Sequence, residues 1–136
     1  MTYNITGEHM GLITSKAHTI IGLVVGVVLV LAPFLFGFSE NEAATMVPII
    51  VGIFIVLNEL ITTSPVSPIK LVPMKVHIVL DVLTGAFLAV SPWLFNFMDS
   101  ENPAQWVPHL AVGLMVMGYA LLTTTADDRA KSIVES

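Results

Sequence analysis

Ser91-Pro92-Trp93-Leu94-Phe95-Asn96-Phe97 closes one long apolar segment, and Ala32-Pro33-Phe34-Leu35-Phe36-Gly37-Phe38 closes another. Each places a proline and then a burst of aromatics at the end of a run long enough to be a helix. The run before the first motif, residues 17–38, is free of Asp, Glu, Lys and Arg. At about 1.5 Å per residue it reaches about 33 Å, enough to cross a bilayer core of about 30 Å. Working outward, the same pattern predicts spans over residues 17–38, 46–61, 76–97 and 106–122. Short acidic turns join the members of each pair, with Glu40 and Glu42 in one and Asp99 and Glu101 in the other.

Composition agrees with this reading. The chain is 55% hydrophobic and 11% charged, against about a quarter charged in soluble domains. Its mean hydropathy is +0.88. A net charge of −5 and the lack of a basic cluster argue against nucleic acid as a partner. With no cysteine, disulfides, thiolate nucleophiles and Cys-ligated metals are excluded. The first apolar run is too long for a signal-peptide core and lacks a small-residue exit, so a cleavable leader is not expected.

Sliding the chain by 59 residues superposes Lys16 on Lys75, His18 on His77, Gly26 on Gly85 and Pro33 on Pro92. Leu35, Phe36 and Phe38 then meet Leu94, Phe95 and Phe97, and after a small length change Val47-Pro48 meets Val107-Pro108. Thr62-Thr63 meets Thr123-Thr124 at a shift of 61 residues. Such self-similarity is architectural evidence in its own right. The expected fold is an all-α membrane protein with four transmembrane helices, arranged as two tandem parallel helical-hairpin repeats. The expected organisation is one membrane domain: a lead-in over 1–15, a first repeat over 16–63, a proline-rich linker over 64–74, a second repeat over 75–125 and a tail over 126–136. Pro65, Pro68 and Pro73 favour extended backbone in the linker.

The chain here resembles the SPW-repeat family of prokaryotic integral membrane proteins. Ser91-Pro92-Trp93 closes a transmembrane helix within a two-helix repeat, and the first copy departs by reading Ala32-Pro33-Phe34. The resemblance implies a multi-spanning membrane protein and brings no catalytic residues with it.

Orientation follows from charge. Lys16, Lys70, Lys75, Arg129 and Lys131 fall on the side holding both ends of the chain and the linker. The positive-inside rule puts that side in the cytoplasm and the protein in the cell membrane, with both termini cytoplasmic. Trp93 and Trp106 fall at the opposite face.

Proline at 92 removes one helical hydrogen bond from the Leu88 carbonyl, which Ser91 can cover. Trp93 can then anchor at headgroup level. The plain role of the motif is thus a kink and an anchor; the sharper one is a lipid or quinone groove beneath paired kinks. Gly22 and Gly26 form a small-xxx-small step and Gly85 repeats the second of them, for packing inside the monomer or at a dimer face.

The remaining chemistry gathers at the lysine-bearing end. His77 and Asp81 share a helix face at i, i+4, and His18 is the repeat mate of His77. If the repeat axis passes between the histidines, His18, His77 and Asp81 converge. That set could relay protons, sense pH, or hold a metal or haem. The alternative is a pair of headgroup-level imidazoles with Asp81 in a local ion pair. Glu59 is expected to pair with Lys70, Lys75 or Lys16, and His109 to be wetted at the far face.

No catalytic residue, metal or cofactor is assigned from the sequence. The leading expectation is a non-enzymatic membrane module, self-associating or an accessory subunit, with the lipid bilayer and itself or another membrane protein as partners. A proton or small-solute transporter using His18, His77 and Asp81 is second, and a haem- or quinone-binding subunit third.

Overall fold

The computed structural model describes residues 2–3, 9–10 and 13–123. The tail beyond residue 123 lies outside the described residues. Among the described residues four α-helices carry the fold: α1 (Ser15–Leu35), α2 (Glu42–Leu60), α3 (Met74–Leu94) and α4 (Val107–Leu121). A 3-10 turn over Pro103–Gln105 leads into α4. With that turn included, all four are long and apolar enough to cross a membrane. Together with the apolar composition they make this a multi-pass membrane protein. A two-residue antiparallel ladder, β1 (Thr2–Tyr3) against β2 (His9–Met10), stands in the lead-in, where the sequence shows no sustained period.

The helix ends differ from the expected ones for local reasons. Thr14 caps α1, its Oγ1 accepting from the Ala17 amide at 3.2 Å. α2 starts four residues earlier than expected because Asn41 accepts from the Ala44 amide, which puts Pro48 inside the helix. α1 and α3 stop three residues short of Phe38 and Phe97. Gly37 (φ 71°) and Asn96 (φ 58°) enter the left-handed region there, as helix-terminating residues do. The amides of Phe38 and Phe97 then bond back to the carbonyls of Pro33 and Pro92, each at 2.9 Å. That reversal turns both phenylalanines into the protein, where they are 1% and 2% exposed.

Each helix packs chiefly against its sequence neighbour, α1 on α2 and α3 on α4, while α2 against α3 is the main contact between hairpins. Glycine permits the close approach. A Cβ on Gly26 would stand 2.9 Å from the Gly52 carbonyl oxygen, and one on Gly85 would stand 2.7 Å from that of Gly113. The glycine faces are therefore consumed inside the hairpins, and Gly22 and Gly26 are not an exposed dimerisation face. The apolar core joins Val25, Leu29, Val51, Ile55, Leu88 and Val116.

The linker is not simply extended. Thr62 and Val72 form a parallel bridge, the Leu71 and Val72 amides bond to the Ile61 carbonyl at 2.9 Å, and Ser64 and Ser67 are buried. The linker folds back over the ends of α2 and α3.

Candidate functional site

Beneath that linker, α1, α2 and α3 bring four ionisable side chains to one point. His18 comes from the first turn of α1, Glu59 from the last turn of α2, and His77 and Asp81 from successive turns of α3. All four are at most 1% exposed. One ligand atom from each lies within 4.8 Å of the others. The two Nε2 atoms are 2.9 Å apart. His18 Nε2 stands 2.8 Å from Asp81 Oδ2 and 3.5 Å from Glu59 Oε1. His77 Nε2 is 3.1 Å from each of the same oxygens.

Glu59 therefore joins the histidines and does not reach for a lysine; Lys70 instead donates to the Ser64 and Ser67 carbonyls at 2.6 and 2.8 Å. The reason is steric. The position matched to Asp81 by the 59-residue shift is Gly22, and a Cβ there would run into the Glu59 carboxylate. The longer side chain reaches the centre through the space glycine leaves. The histidines, equally, are buried within the protein.

The outer nitrogens of the two rings have partners that the sequence reading overlooked. His18 Nδ1 is 2.7 Å from Thr123 Oγ1, and His77 Nδ1 is 2.6 Å from Thr62 Oγ1. Each threonine hydroxyl donates its single proton to a carbonyl in the preceding turn, Thr123 to Tyr119 at 2.7 Å and Thr62 to Asn58 at 2.5 Å. The hydroxyls must then accept from the imidazoles, so Nδ1 carries the hydrogen in both rings. Thr62 and Thr123 had already stood out as matched positions, and that match was the available signal. Tyr119 packs edge-on to His18 with ring centroids 5.0 Å apart. Glu59 Oε2, Asp81 Oδ1, Asn58 Nδ2 and the Tyr119 hydroxyl are buried without a hydrogen-bond partner.

The arrangement leaves no place for a haem between His18 and His77. Metal–imidazole bonds are about 2 Å, so two axial rings need Nε2 atoms about 4 Å apart with a macrocycle between them. Here the nitrogens are nearly touching in a sealed interior.

The motif residues lie at the other end. Ser91 Oγ donates to the Leu88 carbonyl at 2.7 Å, the group that Pro92 leaves without an amide partner. Pro33 and Pro92 are buried inside α1 and α3, whereas Phe34 and Trp93 are 64% and 53% exposed on the apolar outer surface. His109 is not wetted. It is 1% exposed, donates from Nε2 to the Ala44 carbonyl at 2.9 Å, and lies between the rings of Phe38 and Phe97.

Fold and site together define an all-α polytopic membrane protein with a sealed histidine–carboxylate centre. The chain belongs to the SPW repeat domain family, whose model matches residues 16–128. Neither curated proteins nor solved structures give a significant match.

Proposed function

We propose that this protein is a non-enzymatic module of the cell membrane, acting by self-association or as an accessory subunit of a larger membrane assembly. The observation that carries the reading is the segregation of its chemistry. The buried ionisable groups, His18, Glu59, His77, Asp81 and His109, turn inward and bond across the bundle, whereas Lys16, Glu42 and Lys75 are exposed at helix ends. The outer surface offers large apolar side chains such as Val24, Leu31, Leu83 and Leu114. No nucleophile stands beside a general base at an open cleft among the described residues. An apolar groove of about 330 Å³ along the α2–α3 seam, lined by Phe54, Leu83, Thr84 and Phe87, is the place for a partner helix or acyl chain.

Native mass spectrometry of the protein released gently from its own membrane tests this. A multiple of 14.7 kDa or an added polypeptide is expected, and Thr84→Trp, which fills the groove, should strip it. A species of 14.7 kDa alone would refute the module reading. The linker side is cytoplasmic in this reading. Because the chain lacks cysteine, single Val66→Cys and Ser100→Cys variants report sidedness cleanly. Only the Ser100 position should label from outside intact cells.

The convergence of His18, Glu59, His77 and Asp81 favours a second reading, in which the bundle handles protons or cations. Burial of all four groups supports a closed site more than a continuous conduit. Unchanged proton flux in proteoliposomes carrying Asp81→Asn would remove the conduit version.

A further inference from the structure

We infer that the His18–Glu59–His77–Asp81 centre is a binding site for one divalent first-row transition-metal ion. The inference stands on the geometry of the centre and does not depend on the module reading. With Nδ1–H of each ring committed to a threonine, each neutral ring presents its Nε2 lone pair to the same point. Two carboxylates point there as well. Four electron-rich atoms separated by 2.8–3.5 Å along their five measured edges repel one another unless protons or a metal cation stand between them.

Charge narrows the choice. Two carboxylates call for a compensating charge of +2 in a sealed interior, where an unpaired ion costs several kcal/mol. Two protons would supply it as well, and where both sit on the rings they set two imidazolium Nε2 atoms 2.9 Å apart. A divalent ion supplies the same charge and turns that contact into the edge between neighbouring ligands. With bonds of about 2.0–2.1 Å, adjacent ligands lie about 2.9 Å apart at right angles and about 3.3 Å apart in a tetrahedron. The five measured spacings bracket those values, and the two carboxylate oxygens lie within 4.8 Å of each other.

Two further features point to a ligand. Glu59 Oε2 and Asp81 Oδ1 are buried and unpartnered, and each belongs to a carboxylate whose other oxygen already faces the centre. They provide a second oxygen should either carboxylate bind through both. The threonines supply what a ligating imidazole requires at its far nitrogen, a hydrogen-bond acceptor that fixes tautomer and ring plane. Mixed imidazole and carboxylate donors without sulfur suit Zn²⁺, Mn²⁺ or Fe²⁺ and disfavour Cu⁺.

The test uses the full chain in detergent. It measures metal content of the protein as isolated, then uptake of Co²⁺ after chelation, followed by its visible d–d absorption. About one equivalent per chain is expected in each case. Glu59→Gln and Asp81→Asn should abolish stoichiometric uptake, and Thr62→Val or Thr123→Val should weaken Co²⁺ binding about 10–100-fold. Wild-type protein that is helical by circular dichroism, is isolated without metal and takes up no Co²⁺ would overturn the proposal and leave protons as the occupants. Equal uptake by wild type and the folded Glu59→Gln, Asp81→Asn double variant would overturn it too.

Discussion

Ser91→Ala tests the physical meaning of the Ser-Pro-Trp motif. Pro92 has no amide hydrogen to give the Leu88 carbonyl, and the Ser91 hydroxyl donates to it at 2.7 Å in a site where Ser91 and Leu88 are fully buried. An orphaned buried carbonyl costs about 1–3 kcal/mol in water-soluble proteins. Hydrogen bonds inside membranes average about 0.6 kcal/mol and reach about 1.7. The expected loss is therefore about 1 kcal/mol, roughly a fivefold shift of the unfolding equilibrium. Pro92→Ala supplies the missing amide, so Ser91→Ala in that background should cost about 0.3 kcal/mol or less. Reversible unfolding in mixed detergent micelles, run on both single variants and the double, gives the coupling directly. Additivity within about 0.3 kcal/mol would refute the idea that the serine serves the carbonyl the proline strands.

Three further outcomes follow from the packing. Gly22→Ala drives a methyl group into the Glu59 carboxylate and should destabilise by about 1–3 kcal/mol in the same unfolding assay, with Glu59→Asp in the same chain recovering part of it. Gly113→Leu meets the Ala89 amide and Gly85 carbonyl and should break the α3–α4 hairpin, whereas Gly118→Ala, which meets nothing within 4 Å, serves as the control in thermal melts. Asn96→Val forces a β-branched residue into the left-handed region and should cost about 1–2 kcal/mol, while Gly37→Asn, the residue its repeat mate already carries, should cost far less.

The spans were legible because a bilayer demands long apolar runs, and the 59-residue shift made the two histidines a pair. What escaped was rotation about the helix axes. α2 is apolar on nearly every face, so its sequence does not say which side Glu59 leaves from, and nearby lysines looked the better partners. The clue lay in another helix, in the glycine that stands where Asp81 has its mate. His109 was misplaced for a similar reason. Its burial depends on Phe38 and Phe97 turning inward, and that turn comes from left-handed Gly37 and Asn96 inside what reads as continuous helix. The threonine pair was visible as a match, but its purpose appears only once it lies across from the imidazoles.

The departures from the repeat carry their own argument. The 59-residue shift takes Asp81 back to Gly22, and the 61-residue shift takes Glu59 forward to Ala120. Each copy thus gives one carboxylate, the first from its second helix and the second from its first. A faithful doubling would have set an aspartate at 22 and a glutamate at 120, bringing four carboxylates to two imidazoles. Two additional buried charges would cost several kcal/mol each, and Gly22 has no volume for one with Glu59 in place. The small residues hold the negative charge at two, the number that a single divalent ion or a pair of protons cancels. Asymmetry at the carboxylates and symmetry at the histidines then meet one requirement, that the charge of a buried centre can be cancelled.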